Sequence, residues 1–209
     1  MKNIILIILI VATLLCSATI VFAQENKIKN PELAKFIDSL AIEDQRPYLR
    51  IQNGEITTEQ AEKDFQAATR RNYVHLKKIV EEHGFPSFEL VSQTSSHNFW
   101  MMVQHSDFDV KFQKKVLKLM LKEVKKQNAS AQDYAYLVDR VKINTGEPQL
   151  YGTQFMVKDV NKGYELKPVY KPEELNQRRK EMGLPPIEEY LEKANKLFFE
   201  LNKDKLKKQ

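Results

Sequence analysis

"DRVKINTGEPQLYGTQF", residues 139–155, is the stretch on which the fold turns. It begins inside a helical pattern, in which Tyr134, Leu137, Val138 and Val141 form an apolar stripe. The character changes at Gly146. From Tyr151 to Tyr170 the period is closer to two, with Asn161-Lys162-Gly163 as a turn, so a β-hairpin is expected over about 151–170. In such a strand Tyr151, Thr153 and Phe155 would face one way, and Gly152 and Gln154 the other. A glycine inside a strand weakens it unless a bulge or a close approach to the backbone requires one. Gly152 beside Gln154 therefore reads as a notch with an amide at its edge.

Outward from this stretch the chain reads as helices. Asn30-Pro31-Glu32 has the form of a helix start, and Leu33, Phe36, Ile37 and Leu40 follow helical spacing. Pro47 in "EDQRPYL" reads as a break, and Asn53-Gly54 as a turn. Thr57 and Gln60 have capping-box spacing and open a helix to about His83, stopped by Gly84. Further helices are expected over about 93–105 and 108–127, then from Ser130, whose cap spacing to Asp133 marks the start. Past the hairpin, two more are expected over about 172–182 and 186–206. The expected fold is mainly α with a small β-hairpin (α+β): a single compact helical domain over residues 31–206.

The opening "MKNIILIILIVATLLCSATIVFAQEN" bears on compartment. Lys2, the apolar run Ile4 to Leu15, and Val21-Phe22-Ala23 before Gln24 match a secretory signal peptide over residues 1–23. Residues 24–30 read as a flexible polar segment. Leu15 is too bulky for lipoprotein processing at Cys16. An uncleaved membrane anchor is the lesser alternative, since the apolar stretch nearly reaches spanning length. Cleavage removes the only cysteine, leaving a periplasmic or extracellular chain without a disulfide, a thiol nucleophile or a thiolate metal site. A formal charge of +5 is mild and does not argue for nucleic acid. Membrane contact is expected only through the signal segment, if it is retained.

The loudest feature is basic. Lys111, Lys114, Lys115, Lys118, Lys122, Lys125 and Lys126 sit opposite the stripe of Phe112, Val116, Leu119, Met120 and Val124. A membrane surface or polyanion could use them, but scattered lysines are what a solvated helix face carries, and that is the expected reading.

"SSHNFWMMVQHSDFD" carries the more selective chemistry. On a helix turning about 100° per residue, His97 and Gln104 lie nearly in line, while His105 projects away from them. Ser106 or Asp107 reads as the cap of the following helix, with Asp109 in its first turn. No second cluster completes the four ligands of a closed metal site, so no metal is assigned and the cofactor is left open. His105 is the better proton-transfer group, because imidazole titrates near neutral pH and a neighbouring carboxylate tunes it. Asp107 or Asp139 would be that carboxylate. Asp139 beside Arg140 must be paired or exposed, since an unpaired buried charge is costly. The amides of Gln149 and Gln154 and the hydroxyl of Thr153 bind either neighbouring backbone or a ligand.

Together "EDQR", "VQHSD", "AYLVDRV", "QLYGTQF" and "RRKEMGLPPIEEYL" resemble a bacterial family catalogued as domain of unknown function (DUF) 6624, from about Leu33 to Leu191. The resemblance implies no reaction. It implies that Asp44, Gln45, Arg46, Gln104, His105, Asp107, Asp139, Arg140, Gln149, Tyr151, Gly152, Thr153, Gln154 and Arg179 belong together. Phe85 departs from the pattern, where tryptophan is common before the proline.

Three readings follow. In the first, His105 is the acid or base of an exported, hydrolase-like enzyme that activates water, with Asp107 or Asp139 orienting it. Its substrate would be a polar or anionic small molecule or envelope component, held by Asp44, Arg46, Gln104, Arg140, Gln149, Tyr151, Thr153 and Gln154. Arginine suits such recognition because its planar fork donates in parallel. In the second, the same pocket binds a ligand or protein without catalysis. In the third, the polar residues form a buried network that only fixes packing.

Overall fold

A computed structural model describes residues 28–206. The expected signal segment, residues 1–23, lies outside the described residues, as do residues 24–27 and the last three of the chain. The described chain is mainly helical: α1 Pro31–Gln52, α2 Thr58–His83, α3 Phe88–Val91, α4 Gln93–His105, α5 Val110–Val124, α6 Ala131–Asn144, α7 Leu175–Glu181 and α8 Ile187–Leu206. A two-stranded antiparallel hairpin, β1 Phe155–Met156 and β2 Glu165–Leu166, lies between α6 and a short 3-10 turn at Pro172–Glu174.

Local capping sets most of the boundaries. Asn30 accepts from Leu33 N, Thr57 from Gln60 N, and Ser130 from Asp133 N, each satisfying an amide that the first turn leaves free. The cap of α5 is Asp109, whose carboxylate accepts from Phe112 N at 2.9 Å, rather than Ser106 or Asp107. That moves the start of α5 to Val110.

Pro47 does not break α1, which runs through it as one helix of 22 residues. The lost amide is tolerated because the turn is held from outside: Pro47 is buried, beside Ala67 and Ala68 of α2. Continuity matters here, since it is this turn of α1 that carries Asp44.

α1 packs on both α2 and α4, and α5 on α6, with α4 touching α6 between them. Ile37, Leu76, Phe99, Met102, Val103, Val116 and Leu137 are fully or almost fully excluded from solvent in this core. Each such side chain contributes about 1.5–3 kcal/mol of apolar transfer. Phe155 and Tyr164 of the hairpin region stack at 5.4 Å, and Phe155 also stacks on Tyr190 of α8 at 5.3 Å. Tyr164 meets Phe198 edge-on at 4.8 Å, so the hairpin is seated on α8 by its aromatic rings.

The hairpin is much shorter than the expected 151–170, because a carboxylate competes for its amides. Asp139, on α6 and without solvent exposure, accepts from the backbone N–H of Leu150 at 2.7 Å, Tyr151 at 3.0 Å and Thr153 at 2.9 Å, and from Thr153 Oγ1 at 3.0 Å. Those donors wrap a loop around the carboxylate, and a strand ladder would need them pointing elsewhere. Burial pushes the Asp139 carboxyl above its ordinary range, against the opposing pull of these donors. Gly152 sits inside the wrap at φ +67°, where a Cβ would stand 3.1 Å from Ile187 Cδ1 and 3.3 Å from Leu175 Cδ2. Its glycine serves a left-handed turn and a close approach to the α7–α8 side chains, rather than a notch for a ligand.

Asp139→Ala is expected to lower unfolding free energy by about 3 kcal/mol or more, since it strands three loop amides. Asp139→Asn, keeping one acceptor oxygen, should lose less. Urea titration checks both, and an Asp139→Ala midpoint equal to wild type would refute the clamp.

Candidate functional site

His105 is the last residue of α4, and the chain turns immediately after it. Its Nδ1 lies 2.9 Å from Oδ2 of Asp44, which α1 brings from 61 residues away. Asp44 has no solvent exposure, whereas the His105 side chain is 20% exposed. The Gln45 side-chain amide donates to the same Asp44 oxygen at 2.7 Å, while Oδ1 has no hydrogen-bond partner among the described residues. A carboxylate is an acceptor only, so Nδ1 is the protonated nitrogen of the neutral ring. Nε2, on the opposite edge, then carries the lone pair.

His105 also lines a cleft of about 280 Å³, with Phe65, Gln66, Thr69, Arg70 and Phe108. Phe65 meets the imidazole edge-on at 4.9 Å and lies tilted against Tyr48 at 5.2 Å. The Arg70 guanidinium lies 4.5 Å above the Phe108 ring. The cleft thus joins an oriented imidazole, two aromatic walls and a cation, the mixture of apolar surface and few polar groups that small-molecule sites carry.

Beside the dyad lies an ion pair. Arg140 grips Asp107 with both arms of its fork, Nε to Oδ1 at 2.8 Å and Nη2 to Oδ2 at 2.6 Å. Asn144, one turn further along α6, adds a bond to Oδ1 at 2.8 Å. Gln113, fully buried on α5, donates at 3.1 Å to the same oxygen and also to the carbonyls of Val103 and Gln104. This amide closes the open end of α4 directly before His105. It shares the Val103 carbonyl with Ser106 N and reaches that of Gln104, two of the carbonyls that the helix end leaves without the usual partner.

The carboxylate on His105 is therefore Asp44, and neither Asp107 nor Asp139 takes that place. Asp107 serves Arg140, and Asp139 serves the loop. Gln149 is fully buried, bonding Gln154 O at 2.9 Å and Lys167 O at 2.8 Å and accepting from Gln154 N at 2.8 Å. The Gln154 amide reaches Thr153 Oγ1 at 3.2 Å, and Tyr151 packs with Ala135 and Leu184. The polar groups of "QLYGTQF" are thus spent on one another and on nearby backbone. Arg179, also fully buried, donates to Tyr151 O and Pro185 O and lies over Tyr190. Arg46 is exposed, pairs with Glu43, and lines a separate cleft with Arg50, Asp64 and Arg71. Gln104 contributes its backbone carbonyl. His97 stands apart, paired with Asp133 at 2.9 Å.

Sequence reading misses Phe65, Arg70, Asn144 and Gln113. Only Gln113 leaves a usable trace: an amide on the same helical face as Val116 and Met120 is a polar group among buried ones.

Burial opposes ionisation of Asp107, but the Arg140 bonds and charge outweigh it, with Gln113 and Asn144 helping, so its carboxyl titrates below the ordinary 3.8. A lowered folded value means that the contribution to stability is present above about pH 4 and is lost as pH falls through the folded value. The difference in urea midpoint between wild type and Asp107→Asn should be constant from neutral pH to about pH 5 and shrink below about pH 4. A difference independent of pH would refute the assignment.

Comparison with curated proteins and with solved structures gives no match. The model of a family described as a family of unknown function, DUF6624, matches residues 23–200. The match spans nearly the whole described chain, including every residue of the dyad and of the loop clamp, and the chain belongs to that family.

Proposed function

We propose that the protein is an exported enzyme in which His105, oriented by Asp44, takes a proton from water as it adds to a small polar substrate in the Phe65–Phe108 cleft. The observation that carries this reading is the contact between His105 Nδ1 and the buried Asp44 carboxylate. It fixes the tautomer, holds the ring against rotation, and offers Nε2 to the cleft as a base. When the ring becomes imidazolium, the adjacent carboxylate stabilises the charge. Gln45 helps to hold that carboxylate in place by donating to the same Asp44 oxygen. Arg70 is the cation available to an anionic group on the substrate. The opening apolar run of the sequence supports export.

A second reading is non-catalytic binding in the same cleft. It is favoured by the stack of Arg70 on Phe108, which makes a flat recognition surface without further acid or base groups.

Incubation of the purified protein with an extract of envelope-derived small molecules, read by mass spectrometry, separates the two. Wild type should deplete at least one compound, and His105→Ala should slow that depletion by about 10²–10⁴-fold. Asp44→Asn should fall between them. Retained urea midpoints show that folding is unaffected. Depletion at equal rates by His105→Ala would overturn the catalytic reading. A compound retained but unaltered by wild type and by His105→Ala alike would establish the binding one.

A further inference from the structure

The lysine face of α5 has no part in that chemistry. Five of its lysines, Lys111, Lys114, Lys115, Lys118 and Lys122, are exposed within an arc of roughly 100° on the helix. Lys125 and Lys126 extend the stripe past the helix end and are exposed too. Among the described residues, only Lys126 of these seven is in an ion pair, with Glu123 at 2.8 Å. Carboxylates border the stripe at both ends, Asp109 and Glu81 in the cleft beside Lys111 and Lys115, and Glu89 and Glu123 in the cleft beside Lys122 and Lys126. From sequence alone this is a solvated face. The structure adds where the amino-terminal segment leaves the fold.

Ile28 packs on the apolar core, and the amides of Lys29 and Asn30 bond Glu89 O at 2.9 Å and Leu90 O at 2.8 Å. Ile28 also shares a cleft of about 400 Å³ with Lys126, Gln127 and Asn128. The chain that precedes Ile28 therefore joins the fold beside the carboxyl-terminal end of the lysine stripe. In sequence, that preceding chain carries the apolar run from Ile4 to Leu15. No described helix is long and apolar enough to cross a membrane.

We propose that the lysine face of α5 rests on anionic lipid headgroups. An apolar segment and a polybasic patch are the two signals that together hold a chain on a membrane. Each lysine near an anionic surface adds to the attraction, which salt screens. With the leading segment removed, the stripe alone gives a reversible, salt-sensitive contact.

Lysine acylation of the full-length protein, read by peptide mass spectrometry on vesicles of phosphatidylcholine with and without phosphatidylglycerol, tests this whether or not the leading segment inserts. On anionic vesicles Lys115, Lys118 and Lys122 should react at least about fivefold more slowly than on neutral ones, and high salt should abolish the difference. Lys63 and Lys193, on other helices, should not change. The triple variant Lys118→Gln, Lys122→Gln and Lys125→Gln should lose the protection of Lys115 while keeping the wild-type urea midpoint. Equal acylation on both vesicles would overturn the proposal. So would protection by soluble polyphosphate with none by anionic vesicles, which would assign the stripe to a soluble polyanion.

Discussion

A carboxylate taken out of water must be given donors, and this constraint organises the molecule at two places. Asp139 and Asp44 are both without solvent exposure. Around Asp139 the chain supplies the donors itself, by wrapping residues 150–153, so that α6, the hairpin loop and α7 form one bonded unit. Around Asp44 the donors are a side-chain amide and a partly exposed imidazole, and one oxygen is left without a partner among the described residues. The first carboxylate is closed by structure. The second is bonded to an imidazole that also lines the cleft, which is why the functional reading rests on it.

The two sites are linked through the same short stretch of chain. Arg140 follows Asp139 on α6 and holds Asp107, which stands two residues after His105. Gln113 then connects Asp107 to the last carbonyls of α4. Each bond alone is worth about 1 kcal/mol or somewhat more for the charged ones. Their joint effect is geometric, because they fix the end of the helix from which the imidazole projects. A dyad placed at a helix terminus needs such support, since terminal turns otherwise fray.

What sequence reveals and what it hides divide by range. Thr57 with Gln60 and Ser130 with Asp133 were legible because a cap is a contact between residues three apart. The family resemblance was legible in its motifs, and the membership follows from residues 23–200. His105 stood out as the proton-transfer group, but its partner did not, because Asp44 lies 61 residues away and behind an apparent helix break at Pro47. The crowding of polar groups in "QLYGTQF" was visible, but not that they would be spent on Asp139 and on one another. A period near two predicted a strand there. The buried carboxylate won the amides that a strand would have used.

Pro47 leaves one further mark on α1. Its ring nitrogen cannot donate, so the carbonyl of Glu43, the residue directly before Asp44, lacks its usual partner one turn along. The helix runs on past a missing rung. Unwinding that begins at Gln52 loses cooperativity at this rung, and the turns anchored by Leu33, Ile37 and Leu40 can stay wound while the outer turn breathes. The proline thus acts as a firebreak, insulating the turn that presents Asp44 from disorder at the far end of its own helix.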